Sequence, residues 1–222
     1  MRIEDAVAIQ EKLRDQVDAV GPGPRTVHTV AGFDVAYDTA TDRVAGAVVL
    51  LAAPDWQPIG HATAAGRAAF PYVPGLLSFR ELPALLAAWA ELPAGNPPDL
   101  LVCDGYGLVH PRRFGLACHL GVTLDLPTVG VAKTSFIGNY RRPGVQRGSW
   151  SPIVDGGDTV GRALRTQTGV KEVFVSVGHR IDLDTACQCI LDLTPRYHLP
   201  ETTRTADRLS RRALAAGRPA DS

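Results

Sequence analysis

The stretch "DLLVCDGYGLVHPRR" (residues 99–113) constrains the fold more than any other, because the apolar run Leu100 to Cys103 delivers an aspartate, Asp104, straight into a glycine-containing turn. A continuous apolar run bounded by turn residues is the pattern of a strand buried on both faces, as in a parallel or mixed sheet covered by helices. A carboxylate at the end of such a strand loses hydration and persists where a hydrogen bond, a cation or a metal ion compensates. "PTVGVAK" (127–133) repeats the arrangement with a lysine, Lys133, at its end. The carboxyl ends of parallel strands share one rim, where sites in open α/β sheets form.

The remaining elements fit around these two runs. Ala6, Val7, Ile9, Leu13, Val17 and Val20 recur at helical spacing and predict an amphipathic helix over 4–19, ended by "GPGP" at 21–24. Three strand-like runs follow at 26–38, 43–54 and 57–69, with "TATD" as a turn between the first two, and suggest an antiparallel meander. "PYVPG" (71–75) is a rigid loop, since each proline fixes φ and Gly75 permits a left-handed exit. Helices are expected at 81–92, 112–121, 182–192 and from about 201, with a Gly-Gly hairpin over 151–166 and a strand at 172–178. The strand–helix alternation from 81 onward predicts a parallel sheet segment. Together these elements suggest an α/β, ribonuclease H-like mixed sheet with flanking helices. At 222 residues and 45% hydrophobic content, one domain spanning 1–222 is expected.

Composition narrows the partners. A formal net charge of zero excludes a globally basic nucleic-acid binder, although residues 133–222 hold 14 Lys and Arg against 9 Asp and Glu. The four cysteines, Cys103, Cys118, Cys187 and Cys189, show no CxxC pairing, so packed thiols in a reducing compartment are expected and a zinc site is not. The charged start argues against a signal peptide, and Val44 to Ala53 is too short to span a bilayer. A cytoplasmic protein without membrane association is expected.

Several acids gather by topology. In such a sheet the first strand lies beside the strand that ends at Asp104, so Asp34 in "GFDVAYD" stands next to it. Two carboxylates about 4 Å apart repel by roughly 4 kcal/mol at an effective dielectric near 20, a repulsion that a divalent cation converts into affinity. Oxygen-only ligands point to Mg²⁺ or Mn²⁺. Taken singly, each residue also has a structural reading. Asp34 pairs with an arginine and Asp104 caps its turn; Glu81 closes a capping box from Ser78, or lies free if the helix starts at Pro83. Lys133 is a solvated strand-end cation, His110 bonds a backbone carbonyl, and Asp207 pairs with Arg204 along a helix.

Taken together, "GFDVAY" (32–37), "PYVPGLLSFRE" (71–81), "DGYGLVHPRRFGLACHLG" (104–121), "PTVGVAKT" (127–134), "VSVGHRI" (175–181) and "LPETTRTAD" (199–207) resemble the endonuclease V family over nearly the whole chain. The resemblance implies a ribonuclease H-like fold and a Mg²⁺-dependent DNA repair endonuclease, with Mn²⁺ as substitute. It further implies hydrolysis of the second phosphodiester on the 3′ side of deoxyinosine, leaving 3′-hydroxyl and 5′-phosphate ends. By motif, Asp34, Glu81 and Asp104 fall on the metal-binding and catalytic acids, and Asp207 on a position near the metal that is Asp or His in relatives. Lys133 and His110 fall on the active-site lysine and histidine. "PYVPG" corresponds to a strand-separating wedge, with Tyr72, Pro74 and Gly75 at the lesion, and Gly105 and Gly107 to the base pocket. Tyr106 departs from the smaller or polar residues of relatives. Arg112, with Arg113, Arg141 and Arg142, is expected on phosphates. The partner implied is inosine-containing DNA, met by a monomer. The alternatives are an inosine-directed endoribonuclease acting on RNA, and a catalytically silent nucleic-acid-binding module on the same fold.

Overall fold

A computed structural model describes residues 1–216 apart from Ala94 and Asn96. In chain order the elements are α1 (Ile3–Arg14), β1 (Thr29–Asp38), β2 (Arg43–Ala52), β3 (Gln57–Arg67), α2 (Leu77–Ala90), β4 (Leu100–Asp104), α3 (Leu116–Leu124) and β5 (Thr128–Ala132). They continue with β6 (Trp150–Asp155), β7 (Asp158–Leu164), β8 (Val173–His179), α4 (Leu183–Asp192) and α5 (Glu201–Ala216). The strands form one mixed sheet in the order β3-β2-β1-β4-β5-β8-β7-β6, the ribonuclease H-like arrangement. The antiparallel meander β1-β2-β3 is as expected. Parallel pairing is confined to β1–β4 and β4–β5, whereas β8 runs antiparallel to β5 and β7 to β8. The parallel segment therefore stops at β5, short of the extent that strand–helix alternation suggested.

Alternating residues of the central strands feed two cores, as a period of two requires. Val30, Leu100, Val102, Val129 and Val131 pack with Ala186 and Ile190 of α4 and Ala206 of α5. Ala31, Phe33, Leu101 and Cys103 pack on the other face with Leu82 and Leu85 of α2 and Ala117 and Leu120 of α3. Burial on both faces is why "LLVC" and "TVGVA" read as unbroken apolar runs. All four cysteines are free and buried. No helix among the described residues is long and apolar enough to cross a membrane.

Helix boundaries moved more than strands did. α1 stops at Arg14, and Val20, which fits the helical period, is 87% exposed beyond it. α2 begins at Leu77, so Ser78 lies inside it and caps nothing. Phe70, Leu76 and Phe79 pack with Ala6 of α1, and this apolar contact fixes the first turn of α2 in place of a polar cap. Both readings of Glu81 are thereby corrected: it is neither a capping-box residue nor outside the helix, and Pro83 sits in the helix interior. α3 starts at Leu116 rather than at 112, because Arg113 adopts φ 55° and the Gly115 amide donates to the Gly107 carbonyl, folding 105–115 into a loop.

Candidate active site

The register that pairs Phe33 with Cys103 carries Asp34, midway along β1, and Asp104, at the carboxyl end of β4, one step further on the face covered by α5. Asp34 is half-buried and accepts a hydrogen bond from the Ser210 hydroxyl of α5 at 2.7 Å. Asp104 accepts from Lys133 Nζ at 2.9 Å across the β4–β5 rim. Glu81 comes in from α2, buried, and accepts a hydrogen bond from the Tyr37 hydroxyl. Asp207 lies on α5 in the field of Asp34 and is ion-paired with Arg211 at 2.9 Å, rather than with the expected Arg204, which pairs with Glu201.

The electrostatics mark a deficit of positive charge. Burial, with Asp104 and Asp207 adding to it against the Ser210 hydrogen bond, lifts the Asp34 carboxyl to about 6. Burial, reinforced by Asp34 and Asp104 and opposed by the Tyr37 hydrogen bond, lifts Glu81 to about 8. Burial works against the charge of Lys133, yet its hydrogen bond to Asp104 and the fields of Asp34 and Asp207 outweigh it and raise the ammonium above its ordinary value. Among the described residues no three His, Cys, Asp or Glu side chains are arranged as a finished metal cage. The donor set, four carboxylates with no nitrogen or sulfur among them, nevertheless fits a hard divalent cation, which would supply the charge that burial denies these acids.

The sign of the pH effect follows. Folded Asp34 and Glu81 keep protons that the unfolded chain has released above about pH 4, so their stabilisation is complete below that pH and is lost as pH rises through 6 and 8. Buried His110 and His119, both depressed to about 4, act in the opposite sense, and only below the ordinary histidine value near 6.5. Between pH 6.5 and 8 the carboxyls act alone. Thermal melting should therefore fall from pH 6.5 to pH 8 without divalent cations, and Mg²⁺ should restore more at pH 8; equal Mg²⁺ gains at both values contradict this balance.

Beside the acids lies a cavity of about 200 Å³ lined by Tyr72, Pro74, Gly75, Glu81, Gly105 and Tyr106, together with His110 and Phe136. Tyr106 stacks on Phe136 with ring centroids 5.3 Å apart. Of the expected pocket residues, Gly107 lies outside this lining, and a Cβ there would come 1.8 Å from the Val177 carbonyl oxygen. His110 faces Gly75 instead of the acids: one ring nitrogen lies 3.0 Å from the Gly75 carbonyl oxygen, and the other accepts from the Arg112 amide. Arg112 and Arg113, expected on phosphates, are turned inward. Arg112 donates to Gln10 and to the Gly75 carbonyl, and Arg113 bonds Asp155 at 2.7 Å. Arg141 and Arg142 are exposed. Sequence reasoning missed Tyr37, Ser210 and Gln10; only Tyr37, inside "GFDVAY", lay in a stretch that drew attention.

Comparison with known proteins identifies the family and the fold. The Endonuclease V family profile matches residues 11–208. An Endonuclease V of Streptomyces avermitilis is 59% identical over 213 residues, covering 95% of this chain and 92% of the relative. The crystal structure of the Streptomyces avermitilis enzyme superposes with a TM-score of 0.92 at 57% identity, over 97% of this chain and 94% of that one. Ciona intestinalis Endonuclease V, solved with a 24mer DNA containing an inosine followed by a ribo-adenosine, has a TM-score of 0.80 at 29% identity, over 96% and 98% of the two chains. With the family profile spanning residues 11–208 and relatives and solved structures matching nearly the whole chain, this chain belongs to the endonuclease V family.

Proposed function

We propose that the chain is a Mg²⁺-dependent DNA repair endonuclease that recognises deoxyinosine and hydrolyses the second phosphodiester on its 3′ side, leaving 3′-hydroxyl and 5′-phosphate ends. We place it in the cytoplasm as a monomer. The observation that carries this reading is that Glu81 serves two places at once: it lines the 200 Å³ cavity and stands in the field of Asp34 and Asp104. A base held in the cavity therefore sets its own strand against the rim acids.

Asp34, Glu81, Asp104 and Asp207 are the residues to hold the cation, which when bound supplies activation of a water and neutralises charge on the scissile phosphate. Lys133 holds its ammonium against Asp104, beside the path of a phosphate, where it can steady developing negative charge. Tyr72, 70% exposed at the cavity mouth, is placed to fill the gap left by an extruded base. Extrusion costs a few kcal/mol, least for a mispaired base, and aromatic stacking offsets part of it. Exposed Arg141 and Arg142 supply sequence-independent phosphate contacts.

Tyr72→Ala should weaken binding to an inosine duplex about tenfold, the worth of one stacked aromatic, while Mg²⁺ affinity stays unchanged; equal lesion affinity in a binding titration contradicts the wedge role. The function itself is tested with end-labelled duplexes carrying inosine or adenine at one position, with and without Mg²⁺. One product, cut one nucleotide beyond inosine and only with Mg²⁺, supports it. Equal cutting at adenine, or cutting without a divalent cation, overturns it. The ribo-adenosine after the inosine in the Ciona intestinalis complex favours a second reading, an inosine-directed endoribonuclease acting on RNA. Matched deoxyinosine and ribo-inosine strands assayed side by side separate the two.

A further inference from the structure

We infer that Gln10, on α1, is a positioning residue that keeps the Tyr72 loop rigid at the cavity mouth, and that engagement of a lesion in duplex DNA depends on it; this rests on the inosine-directed reading above. Gln10 is 1% exposed and uses every polar atom of its side chain. Its Nε2 donates to the Gly75 carbonyl at 3.1 Å and to the Phe114 carbonyl at 3.0 Å. Its Oε1 accepts from Arg112 Nε at 2.6 Å. One amide thus joins three segments: the first helix, the 71–75 loop and the 110–114 loop.

The Gly75 carbonyl is the centre of this network. Besides Gln10, it accepts from Arg112 Nη2 at 2.6 Å and lies 3.0 Å from His110 Nε2. Because His110 Nδ1 accepts from the Arg112 amide, the proton of the neutral ring belongs on Nε2, and that nitrogen donates to Gly75. Three donors, one of them charged, therefore grip a single carbonyl. Gly75 takes φ 79°, and a Cβ there would meet Arg112 Nη2 at 2.9 Å, so the loop closes tightly on its anchors.

A buried amide costs stability unless its hydrogen bonds are made, and a leucine would fill the same space on α1 without that condition. What an apolar side chain would not do is fix two carbonyls and a guanidinium. Tyr72, three residues before Gly75, can hold open a base stack only if its backbone does not yield to the restacking strands. In a single strand there is no partner strand to separate, so the same rigidity matters less. None of the rim acids takes part in the Gln10 network, so the hydrolytic step should be spared.

The test compares wild type with Gln10→Leu on duplex inosine, single-stranded inosine and duplex adenine substrates. The expected result is a KM for duplex inosine raised about tenfold, the cost of re-ordering a few loosened side chains, with kcat and single-strand cleavage within about twofold. Amide hydrogen exchange across residues 71–76 should rise while exchange in β4 and β5 stays unchanged. Equal losses on duplex and single strand, no loss on either, or faster exchange in the sheet as well would each overturn the inference. Gln10→Glu, isosteric and still an acceptor for Arg112, goes through the same comparison should the leucine variant fail to fold. A wild-type protein that does not prefer inosine to adenine sinks the proposed function. A wild type that does, with a variant that matches it, sinks only the role of Gln10.

Discussion

Alanine at Asp104 should reduce nicking of inosine-containing DNA by on the order of a thousandfold, the several kcal/mol of transition-state stabilisation that a correctly held cation provides. The fold should survive. Asp104 ends its strand at the rim, where its side chain packs no core and is held by the half-exposed Lys133. Asp34→Ala should behave alike: Asp34 reaches the same face from the adjacent strand, and its removal leaves Ser210 with the Asp207 carbonyl as an alternative acceptor. Single-turnover nicking rates and melting curves of both variants check this. Mg²⁺-dependent nicking retained in both would overturn the assignment of these acids to the cation.

Gly107→Ala should be lost to stability, not to base preference. Its Cβ would fall 1.8 Å from the Val177 carbonyl oxygen and 2.5 Å from the carbonyl carbon, both backbone atoms of a central strand that no side-chain motion can clear. The Gly107 amide also donates to Ser176 at 2.8 Å, so the loop cannot lift without losing a buried hydrogen bond. Overpacking of this kind costs about 3 kcal/mol, or roughly 10 °C in melting temperature for a chain of this size. Differential scanning calorimetry gives the answer. A variant that melts like wild type but cuts a different base would return Gly107 to the pocket lining.

The strands were legible because burial on both faces leaves an unbroken apolar signature, and the meeting of Asp34 with Asp104 was legible because sheet topology alone brings the first strand beside the fourth. Glu81 was recognisable as a residue of interest while its helix was misplaced: the apolar contact among Phe70, Leu76 and Phe79 outweighed the Ser78 capping signal. Arg112 read as a phosphate ligand because nothing local says which way a guanidinium turns; its partners, Gln10 and Gly75, lie 102 and 37 residues away. Ser210 was invisible for the same reason, being 176 residues from Asp34. Donors that orient acids obey no periodicity, so the chain alone does not announce them.

Asp34 and Asp104 are proposed to share a divalent cation at the sheet's rim, with Glu81 and Asp207 around it. Crystals soaked in Mn²⁺ and measured for anomalous scattering test it most directly. The expected result is a peak bonded to carboxylate oxygens from both β1 and β4, absent in Asp104→Ala. A Mn²⁺ peak elsewhere on the protein, with Asp104 still held by Lys133 and Asp34 by Ser210, would contradict it.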